Sequence, residues 1–139
     1  MPPQIVKLSV LFYRSDISGL DWDEIGHCRI LDSLSFDDIT GFPINEIQKL
    51  TACPIVFLAL FNVQLKDSDL ENLMGLKQLG YLGLRQNIGI TDVSFEYLEQ
   101  MTSLELLDVR DTSVTEEGIN EFQKKRPDVK VVSDFSKFL

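Results

Sequence analysis

The sequence is poor in the residues from which most catalytic and metal sites are built. It has one histidine, His27, and two cysteines, Cys28 and Cys53, among 139 residues. One histidine and two cysteines are too few soft ligands for a closed zinc site without carboxylate help. The sequence also contains no glycine-rich phosphate loop, and we expect His27 to lie in an ordinary surface turn. We therefore predict no enzyme, no metal and no cofactor.

Positive charge and long hydrophobic runs are also scarce. Lys and Arg number 13 against 22 Asp and Glu, which gives a formal net charge of −9. Nucleic-acid binding needs a cationic surface, and an anionic membrane would repel this chain, so neither is predicted as a partner. The longest apolar run, 54–61, is far shorter than the roughly 20 residues that cross a bilayer. A basic protein partner remains compatible with the charge.

The start of the chain predicts a cytoplasmic location. Residues 1–4 contain no basic segment followed by an apolar one, so we expect no secretory signal. The low cysteine content then favours a reducing compartment. The length suits a single domain, 1–139.

Apolar residues recur along the chain every 24–26 residues, and this repetition predicts the fold. The units begin at Ile5, Leu31, Ile55, Leu79 and Leu104. Within a unit the apolar residues first alternate by two, as in a short strand, and then step by three, as in a helix. One further period reaches 129–132, which predicts a closing strand in a capping segment that spans 127–139.

Residues that accept hydrogen bonds from helix N-termini mark the change of period, namely Ser18, Asp67, Thr91 and Thr115. A strand of about four residues cannot bury its apolar face alone, so each unit must stack on the next. Strands stack about 4.8 Å apart and helices at a wider spacing, so the array curves with the sheet inside. The prediction is an α/β fold, a right-handed solenoid of about five coils. Short parallel strands line its inner face, and helices or helical coils lie outside.

Two of the units carry a family resemblance. Segments 79–87 (Leu-x-x-Leu-x-Leu-x-x-Asn) and 104–112 (Leu-x-x-Leu-x-Val-x-x-Thr) resemble leucine-rich repeats. The turn at 112–119 is similar to that of cysteine-containing and ribonuclease-inhibitor-like members. The resemblance implies that Asn87 and Thr112 hydrogen-bond the backbone between coils, and that the inner face binds another protein. Apolar stacking would have to replace those polar contacts in the first coils, where the same position holds Tyr13, Ile39 and Val63.

Two features leave alternatives open. Cys28 and Cys53 fall at equivalent places in successive units, so they form either a stacked pair of thiols or a disulfide between coils. The N-terminal strand, 5–12, is apolar along its length, which allows either a monomer or a weak dimer through this edge.

The residues between the core positions of each strand form columns on the inner face. The first predicted column is Lys7, Ser33, Phe57, Tyr81 and Leu106, and the rim column is Phe12, Asp38, Asn62, Gln86 and Asp111. A solenoid core does not require aromatic residues in such columns, whereas Tyr and Arg are common binding anchors. The alternatives are that the rings tilt into the core or that a terminal segment covers them. The predicted protein-binding residues are Phe57, Phe61, Tyr81, Arg85, Arg110, Asp37, Asp108 and Asp111.

These features predict a non-catalytic protein–protein interaction module. A sharper form is a small acidic inhibitor or immunity-type protein that blocks a target through the inner face. The alternative is an adaptor, substrate receptor or assembly subunit of a larger complex, either ubiquitin-ligase-like or organellar.

Overall fold

Strands and short helices alternate along the chain. The structure is a computed structural model that describes residues 7–136. The strands are β1 (Leu8–Tyr13), β2 (Leu31–Asp37), β3 (Phe57–Phe61), β4 (Tyr81–Gly83), β5 (Leu106–Asp108) and β6 (Lys130–Val132). The α-helices are α1 (Trp22–Ile25), α2 (Phe95–Leu98) and α3 (Glu116–Lys125). The 3₁₀ helices are Ile44–Leu50, Asp67–Leu73 and Asp92–Ser94. Each connection between successive strands therefore contains helix.

All neighbouring strands pair in parallel, and their order in the sheet is their order in the chain. Equivalent leucines pair across the middle strands and are almost completely buried, namely Leu34, Leu58, Leu82 and Leu107. Parallel neighbours need crossover connections, which the helical segments provide. The predicted α/β solenoid is confirmed, and β6 is the closing strand expected at 129–132.

The first strand is displaced by two residues from its predicted register. Ser9 pairs with Ser33, in the column where the sequence pattern placed Lys7. Phe12 was predicted on the rim, and this placement is wrong. It pairs with Phe36 and stacks on it, with ring centroids 5.0 Å apart. Phe12 therefore packs against the core.

Aromatic packing fills the core of the first two coils. Trp22, Phe36 and Phe42 are buried, and the ring centroids of Phe36 and Phe42 are 4.7 Å apart. Trp22 meets Phe42 edge-on at 6.2 Å, one of the geometries that aromatic quadrupoles favour. Apolar stacking thus replaces the polar contacts between coils here, as expected.

The third and fourth coils are joined through the buried side chain of Asn87. Its Oδ1 accepts hydrogen bonds from the backbone N–H groups of Val63 and Leu65, both at 3.1 Å. Its Nδ2 donates to the carbonyl oxygens of Leu60 at 2.7 Å and Leu84 at 2.8 Å. The role between coils predicted for Asn87 is confirmed.

Thr112 occupies the equivalent position one coil later but bonds differently. Its hydroxyl donates to the carbonyl of Val109 in its own coil, at 2.6 Å, so the bridging role predicted for it is wrong. The contact between these coils uses a carboxylate instead. Asp92 accepts hydrogen bonds from the backbone N–H and the hydroxyl of Thr115, at 2.8 and 2.6 Å.

Two of the four predicted helix caps are confirmed. Thr91 and Thr115 accept hydrogen bonds from the N–H groups in the first turns of their helices. Asp67 instead turns to the next coil and accepts from the N–H and hydroxyl of Thr91, both at 2.7 Å. Ser18 is not a cap, because Asp21 caps α1.

The two ends of the solenoid are finished differently. At the C-terminal end, the Arg126 guanidinium donates to the carbonyl oxygens of Met101 and Leu104 at 2.9 and 3.1 Å, which ties the end of α3 to the preceding coil. At the N-terminal end, Val10, Phe12 and Leu20 help to line an apolar groove of about 200 Å³. The predicted first repeat position, Ile5, and the last tail residues, 137–139, lie outside the described residues. The edge-strand dimer stays a prediction.

Candidate binding surface

The predicted aromatic residues lie on the inner face, the side of the sheet opposite the core. In β3, Leu58 and Leu60 are buried in the core, so Phe57 and Phe61, which alternate with them, point the other way. Tyr81 pairs with Phe57 in the neighbouring strand and shares its side of the sheet. None of these three rings belongs to the core cluster. The alternative in which they tilt into the core does not occur.

A glycine beneath the rings allows them to lie close to the sheet. Phe57 and Tyr81 stack with ring centroids 4.2 Å apart and planes 5° from parallel. A Cβ atom on Gly83 would overlap the Phe61 ring and lie 2.8 Å from the Tyr81 hydroxyl. Ala59, paired with Gly83, is 1% exposed. The small residues thus form a floor, and the rings form a platform on it.

Arg85 extends this platform with a positive charge. Its guanidinium carbon lies 4.4 Å from the centre of the Phe61 ring, within the range of a cation–π contact. Its Nε is buried without a hydrogen-bond partner. The predicted residues Phe61, Tyr81 and Arg85 are therefore brought together on the two middle strands and the turn that follows them.

Asp108 and Arg110 form a pair beside the platform. Asp108 lies in the predicted column, paired with Gly83, but it is only 3% exposed. Arg110 covers it, and donates from Nε and Nη2 to the two carboxylate oxygens at 3.0 and 2.8 Å. Such a two-pronged contact fixes the plane of the guanidinium. Asp108 thus positions Arg110. The sequence pattern predicted that Asp108 faces solvent, and this prediction is wrong.

The remaining predicted acids lie on either side. Asp37 pairs with Phe61 in the sheet and is half-buried. Asp111 is exposed at the opposite end of the face, in the left-handed backbone conformation with φ 54°. Its N–H donates to the carboxylate of Asp134 at 3.0 Å. The carboxylates of Asp37 and Asp111 thus place negative charge at the two edges of the surface.

The surroundings of the Tyr81 phenol favour its neutral, protonated form. Partial burial raises its pKa above the usual value, and the negative charge of Asp108 acts in the same direction. The nearby charges of Arg85 and Arg110 oppose this rise without reversing it. Tyr81 therefore keeps its proton at physiological pH and presents a hydrogen-bond donor.

Two large residues of β1 also lie on the inner face. Leu11 and Tyr13 pair with Ser35 and Asp37 and thus share the inner face. They are 67% and 54% exposed. The sequence pattern placed Tyr13 at the repeat position that Asn87 and Thr112 hold, and this placement is wrong because the register of β1 is displaced by two residues.

A rim of strained turns runs along the ends of the strands. At the equivalent position of each coil one residue has a positive φ, in order Arg14, Asp38, Asn62, Gln86 and Asp111, and Gln64 is a second such residue in the third coil. Asp and Asn tolerate this conformation better than most residues, which is the sequence signal that could have located the turns. Asp38 also accepts hydrogen bonds from Arg14 at 2.6 Å and Asn62 at 3.0 Å, so the side chains tie three coils together.

The histidine and the cysteines lie away from the inner face. His27 is exposed, and its Nδ1 is 2.7 Å from the Asp23 carbonyl. Cys28 and Cys53 are free thiols, and Cys53 is buried with its Sγ donating to the Ile25 carbonyl at 3.4 Å. Burial raises the pKa of the Cys53 thiol. Of the two arrangements, the structure therefore has the separate thiols.

Residues 7–136 contain neither a cluster of metal ligands nor a membrane-spanning helix. No three His, Cys, Asp or Glu side chains in this range gather as a metal ion would require. Within the same range, none of the helices has the length and apolarity needed to cross a membrane.

Two solved leucine-rich-repeat structures share this architecture. An internalin (InlF) from Listeria monocytogenes matches with a TM-score of 0.55 and 20% identity, covering 85% of this chain and 32% of its own. A leucine-rich-repeat protein from Leptospira interrogans matches with a TM-score of 0.51 and 18% identity, covering 78% and 33%. The likeness establishes the leucine-rich-repeat fold, and this chain spans about a third of the length of either structure. No protein-family model and no curated protein matches the sequence.

Proposed function

We propose that this protein is a non-catalytic module that binds another protein through the inner face of its sheet. The observation that carries the proposal is the platform formed by Phe57, Phe61, Tyr81 and Arg85, which the core does not need. Aromatic and arginine side chains contribute most of the binding energy in many protein interfaces. The described part of the tail leaves the platform open, since Phe135 lies with residues of α3 and β6.

The non-catalytic part of the proposal rests on how the charged groups are used. Asp108 and Arg110 bind each other, and Asp38 is held between two coils. These contacts fix the surface rather than activate a nucleophile.

A finer proposal is a small acidic inhibitor or immunity-type protein in a reducing, cytoplasmic setting. The net charge of −9 and the carboxylates of Asp37 and Asp111 would attract a basic target and speed association. The adaptor or assembly role would use the same surface, and no contact in the structure favours it. The likeness of the 112–119 turn to cysteine-containing and ribonuclease-inhibitor-like repeats also stays a prediction.

The test compares five baits in affinity capture from the native cell, followed by calorimetry with the purified partner. The baits are the wild type, the control Val93→Ala and the inner-face variants Tyr81→Ala, Phe61→Ala and Arg85→Ala. Tyr81→Ala should weaken binding by about 1–4 kcal/mol if it is a hot spot. The control, Val93→Ala, removes a side chain that is 54% exposed on the 3₁₀ helix Asp92–Ser94, outside the inner face, and should bind like the wild type.

Two outcomes would contradict the proposal in different ways. Unchanged affinity for Tyr81→Ala, Phe61→Ala and Arg85→Ala would show that the inner face is not the binding surface. Affinity and association rate that do not respond to salt would remove the electrostatic argument for a basic target.

A further inference from the structure

Arg85 is the arginine of the inner face whose charge is not matched. Arg14 pairs with Asp38 at 2.6 Å and Arg110 pairs with Asp108 at 2.8 Å. No carboxylate within residues 7–136 forms an ion pair with Arg85. Its Nε is buried and has no hydrogen-bond partner.

This arrangement is unfavourable for the protein alone. A buried N–H without an acceptor loses its hydrogen bonds to water and gains nothing in exchange. The contact with the Phe61 ring restricts the guanidinium, so less side-chain freedom remains to be lost when a ligand binds. A planar guanidinium with a free edge matches the geometry of a carboxylate.

The surroundings define what else the ligand must be. The apolar faces of Phe57 and Tyr81 lie two columns away from Arg85, and the neutral Tyr81 hydroxyl lies over Gly83 in the column between them. Asp37 and Asp111 border the surface, and the chain carries a net charge of −9. A polyanion would be repelled. A single carboxylate beside an apolar group would be accommodated, because the carboxylate can pair with Arg85 and the apolar group can pack on the rings of Phe57 and Tyr81.

We propose that Arg85 anchors one carboxylate of a protein partner, an Asp or Glu side chain adjacent to an apolar residue that packs on the Phe57–Tyr81 stack. This inference rests on the proposed function and names the chemistry of the residue at its centre. The overall acidity attracts the partner at long range, and Arg85 selects a local acidic group at short range. The partner segment is therefore an isolated acid in an apolar and otherwise neutral or basic context.

The test is a selection of displayed random dodecapeptides on the purified full chain, followed by fluorescence anisotropy of the recovered peptides. Arg85→Gln removes the proposed anchor. Arg14→Gln is the matched control, because it makes the same charge change at an arginine already paired with Asp38. Circular dichroism confirms that both variants are folded.

We expect the recovered peptides to be enriched in an Asp or Glu next to an aromatic or aliphatic residue. Changing that acid to its amide should weaken binding to the wild type by about tenfold or more, since a hydrogen-bonded charge is lost. The same change should have little effect on binding to Arg85→Gln and its full effect on binding to Arg14→Gln.

Failure of the Arg85 anchor can be distinguished from failure of the inner face as a binding surface. Peptides that require Tyr81 but show no acidic enrichment, or that bind Arg85→Gln as well as the wild type, overturn the carboxylate anchor and leave the inner-face surface standing. Recovery of no peptide, or of peptides indifferent to both Tyr81→Ala and Arg85→Gln, overturns the anchor and also counts against the surface.

Discussion

Replacing Asn87 by alanine should destabilise the protein more than any exposed substitution, because its side chain satisfies four backbone groups, three of them in the preceding coil. These are the N–H groups of Val63 and Leu65 and the carbonyls of Leu60 and Leu84. All four bonds lie around a residue with no exposed surface, so water cannot replace the lost partners easily. At about 1 kcal/mol of net stability for each hydrogen bond, the loss is about 4 kcal/mol.

The assay is urea unfolding followed by circular dichroism. A domain is stabilised by about 5–15 kcal/mol, so a loss of about 4 kcal/mol leaves a folded protein with a lower midpoint. With a slope of about 2 kcal/mol per molar urea, the midpoint should fall by about 2 M. Thr112→Ala is the matched control at the same repeat position. It removes two bonds within its own coil, one to the Val109 carbonyl and a long one of 3.5 Å from the Val114 N–H, and should cost about 1 kcal/mol.

The comparison of the two variants decides the argument. If Asn87→Ala lowers the midpoint no more than Thr112→Ala does, the polar bridge between coils does not contribute the expected stability. A large change of slope would instead mean that the coils on the two sides of Asn87 unfold separately, as nearest-neighbour coupling in a solenoid allows.

Three further outcomes are expected. Leu82→Ala, at a fully buried position, should lower the free energy of unfolding by about 2–5 kcal/mol in the same urea assay. Partial burial acts to raise the pKa of Asp67, but hydrogen bonds from Ser94 and Thr91 in the neighbouring coil lower it overall. Its stabilisation is therefore present above the unfolded pKa of about 3.9 and is lost as pH falls through the lower folded value, so Asp67→Asn should flatten the acid limb of a stability–pH profile. Gly83→Ala should displace the Phe61 ring, seen as changed ring resonances in NMR spectra, with a smaller loss of stability than Leu82→Ala; unchanged ring resonances would contradict the packing described.

The sequence alone was sufficient to predict the coil, its strands and most of its core. Alternation by two followed by steps of three appears in every unit, and five repetitions leave little freedom in how the middle strands align. The bridging role of Asn87 was predicted from the resemblance to leucine-rich repeats, and the same prediction for Thr112 was wrong. Alternation also placed Phe57, Phe61 and Tyr81 opposite the core.

Tertiary structure decided the features that depend on pairs of side chains about one coil apart. The register of β1 could not be read from its sequence, because Leu8, Val10 and Phe12 are all apolar and the core pattern fits the strand in two registers that differ by two residues. The burial of Asp108 and the unmatched charge of Arg85 depend on which neighbouring group reaches each of them. A period specifies which side of the sheet a residue occupies, but it does not specify the partner found there.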